Sequence, residues 1–278
     1  MNRLLPACVD REAKFSFLLP LGAGDIAARV AFARRHDLGV EITAFVSGPP
    51  LNDSAARRQT EQMLRRELEG FCGIRTFHGA FLDLALHSSD EKIAAISRER
   101  IERDLETATR LECSAAIFHL GFNPLITSSS HREEVIDRSA VFWRAMSAAY
   151  PDLTIGLENH WEPDWTIFEE LFEAVENPRV GLCLDVAHAH VHSHFDPCAW
   201  LQKTRHHLVH MHWSDNCGTR DRHEPLGAGN IRWDAIIDFF RPWERPTVTL
   251  EVNPLPGLVR SLRFLEQREV FAPAQHVF

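Results

Sequence analysis

Arg179-Val-Gly-Leu-Cys-Leu-Asp-Val-Ala-His-Ala-His190 opens as a short apolar run and then meets a carboxylate at Asp185 and an imidazole at His188. A brief apolar stretch that follows a proline, here Pro178, reads as a strand. The same layout recurs on either side. Strands are expected at Lys14–Leu19, Gly39–Val46, Gly73–Gly79, Ser114–Leu120, Thr154–Asn159, Val180–Val186, Leu208–Trp213 and Thr247–Val252. Helices are expected at Gly24–His36, Ser54–Glu69, Ser89–Leu111, Arg132–Ala149, Asp164–Val175, Asp196–Thr204, Arg232–Phe240 and Leu258–Gln267. Strict alternation argues for a parallel sheet with helices outside, and eight repeats favour a closed (β/α)8 barrel of the α/β class.

Local signals support these boundaries. Ser89 or Asp90 can cap the third helix, and Gly39, just after Asp37 and Leu38, marks the stop of the first. Pro151 and Pro178 fall in the turns before strands five and six, where a missing N–H costs little. The 278 residues suit one barrel, which needs about 250, so residues 1–278 are expected to form a single domain.

Composition narrows the function. Hydrophobic residues make up 45% and charged residues 25%, so a full core is available and disorder is not expected. Six scattered cysteines with no C-x-x-C pair fit reduced thiols in a cytoplasmic protein. The stretch MNRLLPACVDREAKF has no apolar segment of signal-peptide length, and no run approaches the ~18 residues of a membrane helix. A net charge of −9 makes nucleic acid a disfavoured partner without excluding it, because bound cations would reverse the local field. The lysines are Lys14, Lys92 and Lys203. None ends a plausible strand, which argues against Schiff-base chemistry.

Six of the eight strands end in a metal-ligand type: His78, His119, Glu158, Asp185, His212 and Glu251. Active sites of this fold lie at that face. Ionised carboxylates gathered there repel one another unless a cation is present. Imidazole with carboxylate suits zinc, manganese, iron or cobalt better than calcium. His188 lies just beyond the sixth strand, and Asp221-Arg-His223 follows the seventh.

Other residues carry weaker signals. His190, His192 and His194 read as a solvated loop, and His210 as a satisfied core histidine. Trp161 and Trp213 sit where a sugar ring could stack. Gly227-Ala-Gly229 is either a phosphate cradle or a tight turn.

RVGLCLDVAHAH, HMHWSDNCGTRDRHEPLGAGNI and TLEVNP, with FHGAFLDL and AAIFHLGFN upstream, resemble the xylose isomerase-like TIM-barrel superfamily. That group holds sugar isomerases and epimerases and also the endonuclease IV enzymes (AP endonuclease family 2). The likeness runs from about His78 to Glu251. It implies a one-metal set of Glu158, Asp185, His212 and Glu251, as in the epimerases. For a three-zinc set, as in endonuclease IV, it adds His78, His119, His188, Asp221 and His223. The sequence departs from the endonuclease pattern in having Asp185-Val186-Ala187-His188 in place of Asp-Thr-Cys-His. It also has Trp213-Ser214-Asp215-Asn216 where that pattern has Asn-Asp-Ala/Ser-Lys.

The resemblance therefore implies one to three divalent ions (zinc, manganese or cobalt) and leaves three functions open. The first is a sugar or sugar-phosphate isomerase or epimerase. There Glu158 and Glu251 move a carbon-bound proton through a metal-stabilised enediolate, and His188 holds a substrate hydroxyl. The second is an endonuclease IV-like phosphoesterase with a trinuclear zinc site, in which Phe81 and Leu82 wedge into an abasic duplex. The third is a non-catalytic, metal-dependent ligand-binding barrel. Pairing of two copies into a homodimer through barrel helices also stays open.

Overall fold

The computed structural model describes residues 15–242 and 245–272. The elements, in order, are β1 (Ser16–Leu21), α1 (Ile26–His36), β2 (Gly39–Ile42), α2 (Pro49–Asn52), α3 (Ser54–Glu67), β3 (Arg75–His78), α4 (Glu91–Arg110), β4 (Ala115–His119), α5 (Ser129–Ala149), β5 (Thr154–Glu158), α6 (Thr166–Val175), β6 (Val180–Asp185), α7 (Val186–His192), α8 (Pro197–Thr204), β7 (Leu208–Trp213), α9 (Trp233–Phe239), β8 (Thr247–Leu250) and α10 (Leu255–Glu266). The eight strands close into a barrel in sequence order, every pairing parallel, with β1 also bonded to β8. The expected (β/α)8 architecture is the observed one. Lys14, the expected start of the first strand, and Cys8 lie outside the described residues.

Strand parity sorts the side chains. Residues such as Leu19, Phe77, Phe118, Leu157, Leu184 and Met211 point outward and join one apolar layer beneath the helices. Trp143 of α5, fully buried, packs on Phe118 with ring centroids 5.3 Å apart. Toward the C-terminal ends of the strands the inner face is polar. Register places Glu41 beside Thr76, His119 beside Glu158, Asp185 beside His212 and His212 beside Thr249. Side chains in register on parallel neighbours share a face, so pairing alone gathers these groups inside the barrel.

Several boundaries differ from the sequence reading for definite reasons. α1 stops at Asp37, which adopts the left-handed conformation at φ 53° while Leu38 N–H reaches back to Ala33 O. Gly39 is therefore not the stop. It opens β2, where a Cβ would fall 2.6 Å from Ile74 O. The expected loop at His190 and His192 is helical: Asp185 caps α7 by accepting from His188 N–H at 2.6 Å. Asp90, not Ser89, caps α4, accepting from Lys92 N–H. Pro151 and Pro178 do lie in turns. Among the described residues no helix is long and apolar enough to cross a membrane.

Candidate metal centre

The carboxylate of Glu158, at the end of β5, lies at the middle of the inner cluster and is buried. Its Oε2 lies 3.1 Å from His78 Nε2 and 3.0 Å from His119 Nε2. Its Oε1 lies 3.1 Å from His212 Nδ1 and 3.3 Å from His188 Nδ1. Beyond it, His188 Nε2 and His223 Nε2 approach Asp221 Oδ2 at 3.3 and 2.9 Å. All nine expected ligand positions therefore fall into one connected set: Glu158, Asp185, His212 and Glu251 cluster together, His188, Asp221 and His223 form a second cluster, and His78 and His119 each approach Glu158 Oε2.

Hydrogen bonds fix which ring nitrogens are free. A carbonyl oxygen can only accept, so a ring nitrogen bonded to one carries the proton. His78 Nδ1 donates to Gly79 O at 2.9 Å, His188 Nδ1 to Asn159 O at 2.9 Å and His223 Nδ1 to Glu251 O at 3.1 Å. In each neutral ring the Nε2 lone pair is left, and it faces a carboxylate oxygen. Two lone pairs face to face repel unless a proton or a cation lies between them. His212 is turned the other way: its Nε2 meets Glu41 at 3.1 and 3.4 Å, which frees Nδ1 toward Glu158 and Glu251. A carboxylate behind a ligand imidazole is the usual support of a metal-bound histidine.

Two further observations test the fit. Asp185 Oδ2, His212 Nδ1 and Asp221 Oδ1 are buried without a hydrogen-bond partner, an expensive state that a cation relieves. The 3.0–3.5 Å spacings also match the ~3.3 Å between neighbouring ligands set tetrahedrally at about 2.05 Å from zinc. The donor set fits divalent cations.

Without a cation, protons take that place. Burial opposes charging of His78, yet hydrogen bond and charge from Glu158 lift it to about 9. Burial also opposes charging of His223, which hydrogen bonding to Asp221 lifts to about 9. His188 is raised well above its ordinary value by Asp185 and Asp221 against burial. Glu158 is held well below the usual carboxylate range; burial opposes this, and the His119 and His212 charges outweigh it. Burial lifts Asp185 to about 6.

The loop after β7, which carries Asp221 and His223, is pinned in place by its own hydrogen bonds. Asp215 and Glu224 exchange two backbone hydrogen bonds across it. The Asp215 side chain accepts from Asn216 N–H, Gly227 N–H and Trp233 Nε1 at 2.8–2.9 Å. His223 sits at φ 47°, a left-handed conformation that a non-glycine residue adopts only when its surroundings impose it. The Gly227 N–H is spent on Asp215, and Gly229 packs against Asn216 O, so this segment is a tight turn rather than an open phosphate cradle.

Some expectations moved. Trp213 is fully buried against Phe15, Phe17 and Trp233 and is not available to a sugar. Trp161 is half exposed at the rim. His210 is a satisfied interior histidine, meeting Thr247 and Thr249 hydroxyls at 2.6 and 3.0 Å. Phe81 lies over His119 at 4.8 Å and over His78 at 5.7 Å, with Leu82 exposed beside it. Glu41 was missed. Its signal was a carboxylate in an otherwise apolar strand, Gly39-Val-Glu-Ile42.

With this geometry in hand, sequence comparison finds that residues 12–268 match the xylose isomerase-like TIM barrel family. This chain belongs to that family. Among solved structures, the TTHB071 protein of Thermus thermophilus, from crystals soaked with ZnCl2, is 26% identical. The match covers 91% of this chain and 97% of that one, with a TM-score of 0.75. The 3-keto-D-glucoside 4-epimerase YcjR of E. coli shares the fold at 16% identity, covering 91% of this chain and all of that one, with a TM-score of 0.69. A curated relative, the uncharacterized protein MJ1311 of Methanocaldococcus jannaschii, is 24% identical over 174 residues. The match takes in 58% of this chain and 58% of that relative's length.

Proposed function

We propose that this protein hydrolyses a phosphoester on a centre of three divalent cations. The observation that carries the reading is that both Glu158 oxygens face histidine nitrogens, Oε2 those of His78 and His119 at 3.1 and 3.0 Å and Oε1 that of His212 at 3.1 Å. Glu158 placed in this way would serve as a shared ligand and would make a poor general base. His78, His119 and Glu158 would hold one ion. Glu158, Asp185, His212 and Glu251 would hold a second, and His188, Asp221 and His223 a third. Bound cations supply charge neutralisation at the phosphoryl oxygens and an activated water. The chain's own residues orient and enclose. Glu41 fixes the His212 tautomer, backbone carbonyls fix three more, and Phe81 shields His78 and His119.

A second reading, a one-metal sugar isomerase or epimerase, draws on the Glu158, Asp185, His212 and Glu251 group, whose ligand atoms all lie within 4.8 Å of one another. It shares its fold with an epimerase. It would need Glu158 and Glu251 to move a proton, and both Glu158 oxygens already face histidine nitrogens.

Metal content per chain, with turnover of a phosphodiester panel and of a ketose panel, separates the readings. The hydrolase reading expects about three equivalents, falling by one in His78→Ala and by one in His223→Ala, with phosphoester cleavage lost in both. One equivalent, with ketose epimerisation intact in His223→Ala, overturns it. Metal uptake without turnover on either panel returns the protein to the ligand-binding class.

A further inference from the structure

From the candidate ligand His188 a ladder of rings runs outward. The His160 ring stacks on His188 with centroids 4.5 Å apart and planes 21° off parallel. The Trp161 indole stacks on His160 at 4.3 Å and 27°. Trp161 is 49% exposed, so His160 covers one face and the other is open to solvent at the rim of the barrel. A large aromatic held in this way, one face backed and the other bare, is a platform for another flat ring.

The ladder is set in place by its loop. Buried Glu162 accepts from His160 N–H at 2.6 Å. Pro163 O accepts from Ser193 Oγ at 2.8 Å and from His194 N–H at 2.9 Å, which ties the loop to the end of α7. Pro163 and Asp164, the next residues of that loop, line a cavity of about 350 Å³ together with apolar Phe122 and Ile126 and polar Ser128 and Arg132. The exposed apolar side chains Leu82, Leu125, Ile126 and Phe195 lie on the loops that flank it. A sugar ring can meet the bare indole only with a C–H face and keeps its hydroxyls at the edge. A flat heterocycle can cover the whole of that face with its own.

We infer that Trp161 is a specificity-determining residue that stacks an aromatic heterocycle, such as a nucleobase, carried by the phosphoester substrate. The inference rests on the phosphoesterase reading for the phosphate end and on the ring ladder for the other end. A substrate so held spans the rim, its ring on Trp161 and its phosphate directed inward past His160 to the cluster at His188.

Isothermal calorimetry on the full chain supplemented with Zn²⁺ tests this with two probes, adenosine 5′-monophosphate and ribose 5-phosphate. The wild-type protein is expected to bind the adenine-bearing probe at least about fivefold more tightly, in line with one stacked base. Trp161→Ala should abolish that ratio while leaving ribose 5-phosphate affinity within twofold, and Trp161→Phe should restore most of it. Equal binding of the two probes by the wild type, no binding of either, or a ratio that survives Trp161→Ala overturns the inference. The two readings fail separately. Binding that depends on Trp161 in a protein that cleaves no phosphoester retains the stacking site and discards the hydrolase. Cleavage with no preference for the ring does the reverse.

Discussion

Glu41 lies behind the candidate centre, on the opposite side of His212 from the other ligands, and its replacement is the sharpest test of the tautomer argument. His212 Nε2 lies 3.1 and 3.4 Å from the two carboxylate oxygens. Oε2 also accepts from Thr76 Oγ1 at 3.0 Å. All three residues are buried. Glu41→Gln keeps an acceptor for the His212 N–H but removes the charge that makes the opposite nitrogen more basic. Removing such a supporting carboxylate typically costs 10–100-fold in metal affinity, about 1.4–2.7 kcal/mol. The glutamine variant should sit near tenfold. Glu41→Leu also strands a buried N–H, at about 1–3 kcal/mol, and should approach or pass a hundredfold. Competition for Zn²⁺ against a chelating dye measures both, with circular dichroism to confirm that each variant is folded. The loss should be confined to ions that His212 touches, so the titration should become biphasic as the His188, Asp221 and His223 group keeps its affinity. A leucine variant that binds all its zinc within twofold of wild type refutes the reasoning.

Three further outcomes follow from the geometry. In the metal-free protein His78 and His223 are lifted from 6.5 to about 9, so each stabilises the fold while protonated. That contribution is complete below about pH 6.5 and fades as pH rises through about 9; Tm of chelator-treated protein should fall across this window, whereas the rise in Tm on adding Zn²⁺ should grow. A flat metal-free profile contradicts the assignment. Asp104→Ala should destabilise by about 3–5 kcal/mol, because it strands the buried Arg57, 2.6 Å away, and frees the Ala80 N–H just after the His78 strand; urea denaturation reads this, and a loss under 1 kcal/mol counts against it. Gly229→Ala places a Cβ about 2.1 Å from Asn216 O. It should lower Tm by on the order of 5 °C and weaken metal binding at Asp221 and His223, and an unchanged Tm argues against the tight-turn account.

The barrel was legible because strand and helix alternate without interruption and because ligand-type residues end six of the strands. What escaped sequence reading was parity and capping. Trp213 adjoins His212, and alternation along β7 sends the two side chains to opposite faces, so a tryptophan that looked like a rim residue is core. Asp185 read as a ligand alone. It also caps α7, and that second role winds the histidine run into a helix. Glu41 is interior to its strand rather than at its end, so a search of strand ends passes over it. The pairing of His160 with Trp161 into a ladder depends on ring planes, which spacing along the chain does not encode.

Three of the candidate ligand imidazoles are held by the carbonyl oxygens of Gly79, Asn159 and Glu251. Those oxygens belong to the main chain where the strands give way to loops. No side-chain substitution deletes them. The aim of the three rings is thus a property of the scaffold. The rim, with Leu82, Trp161 and Phe195, presents exposed side chains instead. A barrel built this way is free to change what it recognises by drift at the rim while the chemistry beneath stays aligned.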